Sequence, residues 1–274
     1  MSPSAPERPP RPQITLAVQR REQLSGHIVR LVLGGDQFDH FVTNDYTDKY
    51  VKILFAQPRL QLRRPYDLAV LRETLNPEDM PVTRTYTIRE LDHEARTLSI
   101  DFVVHGDQGL AGPFAYSAKP GDEVTFTGPG GGYAPDPTAD WHLFAGDQSA
   151  LPAIASSISA LPRCARGLAF IEVSDAQDIY PLDAPDRLEV RWLYSAQKLS
   201  LATEMQSTDW PNGRPQVFAH GERSAMKELR DLFTSRGVLR SQLSLSGYWA
   251  EGRTEDRFQA EKREPIGIIL PVLN

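Results

Sequence analysis

The chain is 274 residues long, 40% hydrophobic and 24% charged, with a net charge of −6 at neutral pH. This balance excludes a largely disordered chain and argues against a nucleic-acid-binding surface, and the length predicts two domains. One cysteine, Cys164, rules out an internal disulfide and any multi-thiolate zinc or iron–sulfur site, and reads as a buried small hydrophobe rather than a catalytic thiol. With no signal peptide and no apolar run long enough to span a bilayer, the expected address is the cytoplasm, without membrane insertion.

Residues 1–12 carry five prolines and read as a disordered or extended leader. Strands are expected at Ile14 to Val18, His27 to Leu33, Tyr50 to Phe55, Arg84 to Arg89, Thr97 to Val104 and Glu123 to Gly128, each bounded by polar or glycine-containing breaks. Six short strands in this span predict a small antiparallel barrel. Between the third and fourth, the insertion from Pro58 to Val82 holds Arg59, Arg63 and Arg64, a solvated basic loop or a ligand-facing one, and a short helix that Asp67 can cap.

After the Gly128–Gly132 break the boundary is placed near Pro135 to Pro137. Trp141 to Ala145, Leu168 to Val173, Glu189 to Leu193, Gln216 to Ala219 and Gln242 to Ser246 read as strands. Helices are expected at Leu151 to Leu161, around Met205, and at Ser224 to Ser235. This alternation predicts a small doubly wound α/β domain. The expected organisation is therefore a leader over 1–12, the barrel over 13–136, the α/β unit over 137–249 and an extension over 250–274. In that extension, the apolar run Ile266 to Leu273 can dock on the protein or on another copy.

The stretch Arg84-Thr85-Tyr86-Thr87-Ile88-Arg89 offers a guanidinium fork for a phosphate, an aromatic ring to stack on a planar cofactor, and hydroxyl and amide donors. An ordinary half-exposed strand fits the same residues. His105, at a strand end before Gly106, reads as a hydrogen-bonded residue facing a ligand, or as a proton relay. The Gly109-Leu110-Ala111-Gly112-Pro113 run leads into a helical turn from Phe114 to Ala118, whose start amides attract phosphate; a plain turn between strands fits equally. No GxGxxG fingerprint is present. Gly146-Asp147-Gln148-Ser149 reads as a helix start capped by Ser149, with Pro152 in the first turn, or as a dinucleotide contact. Gly247-Tyr248-Trp249 either closes over a ligand or seals a domain interface.

Taken together, RTYTIR at 84–89, DFVVHG at 101–106, GLAGPFA at 109–115, PGDEVTFTGPGG at 120–131, GDQSALPAI at 146–154 and GYW at 247–249 resemble the siderophore-interacting proteins, a branch of the ferredoxin-reductase-like flavoproteins. The resemblance runs from about Lys52 to Trp249. It implies an N-terminal FAD-binding barrel followed by an NAD(P)H-binding-like domain. Arg84, Thr85, Tyr86, Thr87, Asp101, Val103, His105, Gly109, Gly112, Pro113, Ala115, Asp147 and Trp249 would contact cofactor. Arg84 would hold the pyrophosphate, and Tyr86 and Thr87 would face the reacting flavin. Lys52 and Arg253 would attract the substrate.

Two departures bear on these roles. Ala115 stands where the family commonly has Ser or Thr, and Ala250 and Glu251 follow the aromatic pair where the family often has a basic residue. The resulting expectation is a ferric-siderophore reductase that uses FAD and NADH or NADPH. Two rivals stand beside it: a general flavin reductase or electron-transfer flavoprotein fed by ferredoxin, and a flavin-free module that binds ferric siderophores.

Overall fold

A computed structural model describes residues 12–104, 106, 109–197 and 199–269. The first half winds through β1 (Gln13–Gln23), β2 (Ile28–Gly34), β3 (Tyr50–Phe55), α1 (Leu68–Thr74), β4 (Val82–Asp92), β5 (Thr97–Val103), α2 (Ala111–Ser117) and β6 (Glu123–Gly130). Its six strands close into an antiparallel barrel in the order β1-β2-β5-β4-β3-β6. Alternation builds the interior: Ile14, Leu16 and Val18 of β1, Val29, Leu31 and Leu33 of β2, and Leu98, Ile100 and Phe102 of β5 point inward, while their neighbours face out or sideways. Ala111, Ala115 and Ala118 of the α2 segment pack on this core.

The α1 helix buries none of its residues and depends on its cap, Asp67, whose carboxylate accepts from Ala69 N and Val70 N at 3.1 Å each. Two of the insertion's arginines have acidic partners: Arg59 pairs with Asp79, and Arg64 with Glu123 at 3.1 Å.

The second half comprises β7 (Trp141–Asp147), α3 (Leu151–Ser159), β8 (Arg166–Val173), β9 (Arg187–Tyr194), α4 (Leu201–Ser207), β10 (Pro215–Glu222), α5 (Arg223–Ser235), β11 (Leu243–Trp249) and α6 (Glu255–Glu261). Five parallel strands form a sheet in the order β11-β10-β7-β8-β9. One face packs on α3 and the other on α4 and α5, so the sheet is doubly wound, as the alternation predicts.

The halves meet in an apolar seam. Ile28 of β2 and Tyr133 of the connection pack in the same cluster as Leu151, Ile154 and Ile158 of α3. Polar ties reinforce it. Asp178, fully buried, accepts from Ser25 Oγ at 2.9 Å, from His27 N at 3.0 Å and bonds His27 Nδ1 at 2.8 Å. Burial opposes its ionisation, but these bonds outweigh it and hold the carboxyl below its ordinary range.

Four local expectations need correction. The strands of both halves mostly run longer than the sequence suggests; β4, for example, spans Val82–Asp92. The α2 turn starts at Ala111 rather than Phe114. Ser149 does not cap α3: its N and Oγ both donate to Asp147 Oδ1, at 2.9 and 2.5 Å, and the cap position is Ala150. Cys164 is exposed in the loop between α3 and β8, because Pro162, Arg163 and Cys164 lie outside both elements. Of the apolar tail, Ile266 and Ile268 are exposed and Ile269 is buried against the sheet cluster; the leader up to residue 11 and residues 270–274 fall outside the described residues. Among the described residues no helix is long and apolar enough to cross a membrane.

Candidate functional site

A cleft of about 470 Å³ lies between the barrel and the carboxyl ends of the parallel strands, a size suited to a small ligand or cofactor ring. The barrel supplies Asp48, Tyr50 and Lys52 from β3 and the loop before it, Thr85, Tyr86 and Thr87 from β4, and Asp101 and Val103 from β5. Facing them are Ser149, Pro152, His220, Ser246, Tyr248 and Trp249; Glu255, Gln259 and Lys262, in and just after α6, complete the wall.

On the barrel side the ladder sets the geometry. Tyr50 stands opposite Thr87 and Lys52 opposite Thr85, so antiparallel pairing fixes which side chains share the cleft wall. The Tyr86 ring leans on Phe102 of the barrel core, centroids 4.4 Å apart, and burial raises its phenol's pKa well above the ordinary value. Asp101 accepts Arg30 in a bidentate pair at 2.6 and 2.8 Å, and Tyr180 OH donates to it at 3.4 Å.

On the sheet side the organiser is Asp147, at the point where strand order reverses between β7 and β10. Its Oδ1 takes Ser149, and its Oδ2 takes Glu222 N and Trp249 Nε1, both at 2.8 Å. Close backbone approach makes this knot possible. A β-carbon on Gly146 would sit 2.4 Å from His220 O, and one on Gly221 2.8 Å from Asp147 Oδ2.

His220 is buried, its Nε2 is 2.9 Å from Ser244 Oγ, and its Nδ1 has no hydrogen-bond partner within the protein. Burial, then the charge of Lys262, pushes its pKa down to about 3, so the imidazole is neutral at physiological pH. Tyr248, against His220 at 4.9 Å between centroids, is shifted upward by burial and by the nearby Asp48, Tyr50 and Asp147, against a hydrogen bond with Thr87. Burial and the positive charge of Lys52 lower the Lys262 ammonium, against the pull of Glu255.

The structure brings Lys52, Thr85, Tyr86, Thr87, Asp101, Val103 and Trp249 together around the cleft. Arg84 is next to it but turned aside, its Nη1 on Thr83 O at 2.8 Å and 3.5 Å from Asp256 of α6. Ala115 is fully buried with its methyl in the barrel core, away from the cleft. Gly112 and Pro113 lie within α2, and Gly109 before it has φ +78°. His105 lies outside the described residues. Arg253 does not line the cleft, and its Nε is held by Glu261 at 2.9 Å; the cation that joins Lys52 at the wall is Lys262. His220, Tyr50 and Lys262 escape sequence reasoning. Lys262 sits in an unpatterned charged tail, and only the strand topology carries His220 to the cleft. Its place near the end of a predicted strand was the one available signal.

The donor set fits a flavin. Hydroxyl and aromatic groups of β4 face aromatic groups of β11, and on the sheet side a buried imidazole nitrogen of His220 stands without a protein partner.

An antiparallel closed barrel joined to a five-stranded parallel sheet, with a shared cleft at the strand ends, defines the ferredoxin-reductase-like class of two-domain proteins. Residues 17–133 match the siderophore-interacting FAD-binding domain and residues 139–252 match the siderophore-interacting protein domain. This chain belongs to the siderophore-interacting protein family. It is 32% identical over 257 residues to the ferric vibriobactin reductase of Vibrio cholerae, covering 89% of this chain and 91% of that one. A siderophore utilization protein from T. fusca superposes with a TM-score of 0.77 at 34% identity, covering 91% of this chain and 97% of the other. The siderophore-interacting protein of Aeromonas hydrophila gives 0.76 at 28% identity, covering 93% and 98%.

Proposed function

We propose that this protein is an FAD-dependent oxidoreductase that reduces the iron of ferric siderophores, with NADH or NADPH as donor. The observation that carries the reading is the position of the cleft: barrel residues form one wall, and the ends of β10 and β11 form the other. A ring held by β4 is thereby reachable from the crevice where parallel sheets of this order receive dinucleotides. Bound there, FAD supplies the conversion of a two-electron hydride donor into single electrons for iron. Iron held by hard oxygen donors is bound less tightly once ferrous, so the metal leaves an intact chelator.

Thr85 and Thr87 present hydroxyls to the ring edge, and the backbone amides between them are fixed by pairing with β3. Tyr86, braced on Phe102, packs against the ring or its ribityl chain. Arg84 reaches the pyrophosphate by giving up its long contact with exposed Asp256, an exchange that costs little. Trp249 is 42% exposed and shields the second wall while anchored to Asp147. Lys52 and Lys262 draw an anionic chelate towards the rim, and Glu255 partly offsets them. Reduced dinucleotides as donors place the reaction in the cytoplasm.

Anaerobic absorbance of the purified protein tests the reading. A flavin spectrum should bleach with NADH or NADPH and return when a ferric siderophore is added. A flavin that bleaches with neither dinucleotide but does so with dithionite would redirect the donor to a protein such as ferredoxin. A colourless protein that takes up no added FAD would leave the ferric-siderophore binding module.

A further inference from the structure

The carboxyl crest of the sheet carries a second set of groups beyond the cleft. Strand order reverses between β7 and β10, so β7 and β8 stand as the first and second strands of a dinucleotide-binding half. In such sheets a carboxylate at the end of the second strand accepts the adenosine ribose hydroxyl, whereas an arginine there accommodates a 2′-phosphate. The last pair of the β7–β8 ladder and the penultimate pair of the β8–β9 ladder put Glu172 beside Asp147 on one side and Leu193 on the other. Glu172 is half-buried, and Ser195 Oγ donates to it at 3.0 Å.

Among the described residues, the groups that act on the Glu172 carboxyl are, in order, its burial, the Ser195 hydroxyl and the charge of Asp147. Burial and Asp147 push it upward despite the Ser195 bond, the condition that a further hydroxyl donor relieves and a phosphate worsens. Gln148 gives an independent sign of a ligand. It is 8% exposed, its Oε1 accepts from Ser174 Oγ at 2.9 Å beside the end of β8, and its Nε2 is buried with no protein partner.

We infer that Glu172 makes the protein selective for NADH over NADPH, accepting the free 2′-hydroxyl of the adenosine ribose and repelling a 2′-phosphate, with Gln148 Nε2 available to a neighbouring ligand oxygen. The inference rests on the dinucleotide-donor reading above.

Calorimetry on the FAD-loaded protein with ADP-ribose and 2′-phospho-ADP-ribose reads the discrimination without turnover. ADP-ribose is expected to bind about tenfold tighter or more, the size of effect a close like-charge contact produces near a protein surface. Glu172→Gln keeps the shape and an acceptor for Ser195 while removing the charge, and should narrow the gap to about threefold or less. Flavin bleaching rates with NADH and NADPH should shift in parallel. Equal or tighter binding of the phosphorylated ligand, or a gap unchanged in Glu172→Gln, would overturn the inference. If both dinucleotides bleach the flavin equally, only this inference falls; if neither ligand binds and only dithionite bleaches the flavin, the donor reading falls with it.

Discussion

The barrel meets the cleft through the middles of its strands, and the parallel sheet meets it through the ends of its strands. Tyr50, Lys52, Thr85 and Thr87 are gripped by hydrogen-bonded neighbours on a closed ladder, so their directions follow from the pleat. Ser149, His220 and Trp249 lie where pairing runs out, and their directions follow from the Asp147 knot and from two glycines that let chains approach. The first wall is therefore tolerant of side-chain exchange. The second depends on a few contacts that cannot be exchanged.

The largest effects test whether the two halves are thermodynamically separate at all. Phe126→Ala in the barrel core and Phe218→Ala in the sheet core should each cost about 3–5 kcal/mol in urea unfolding. Because Ile28 and Tyr133 share a cluster with α3, each variant should unfold in one transition. A barrel that melts apart from the sheet would break that view.

Next comes the second wall. Gly146→Ala, forced against His220 O and Ala150, should destabilise by about 1–3 kcal/mol. Thr85→Ala, on exposed mid-strand surface of the first wall, should stay within about 0.5 kcal/mol. Comparable losses from both would erase the contrast. Thr87→Val removes a hydroxyl from the cleft wall while keeping the side chain's shape, and should weaken FAD retention with the fold intact. Arg84→Ala should lower FAD affinity with little change in the melting temperature of the flavin-free protein; unchanged affinity would remove it from the phosphate role.

The roof of the cleft gives a pH test. Glu261, 1% exposed, accepts from Arg223 at 2.7 Å, Arg253 at 2.9 Å and Arg257 at 2.8 Å. Hydrogen bonding to Arg223 leads, and together these bonds lower its pKa to about 2 against the cost of burial. A depressed carboxylate stabilises the fold fully above its ordinary value near 4.5 and loses that contribution as pH falls through about 2. Glu261→Gln should therefore melt lower than the native protein at neutral pH. The difference should shrink across that acid range in paired thermal melts.

Much of the barrel is legible in the sequence because alternation and turn residues act locally. Tyr50 to Phe55 is read to the residue, and Asp67 is recognised as a cap because a cap is a contact over two or three positions. The sheet's strands are legible for the same reason, but their ends are not. Ser149 has the composition of a cap, yet a carboxylate two residues earlier takes its hydroxyl. Cys164 has the chemistry of a buried residue, yet falls in a loop. Lys262 reaches the cleft only because Glu261, its neighbour, is tied to an arginine on α5. No local rule links positions 223 and 261.

That tie also orders the making of the protein. Residues of the cleft run from Asp48 to Lys262, and the roof belongs to α6, which follows the strands of both walls in the chain. The barrel and the sheet can each begin to fold while the chain is still growing. The cleft becomes whole only afterwards, when Glu261 arrives and finds Arg223 already in place. A growing chain that has reached Trp249 therefore holds the residues of both walls but not yet those of the roof.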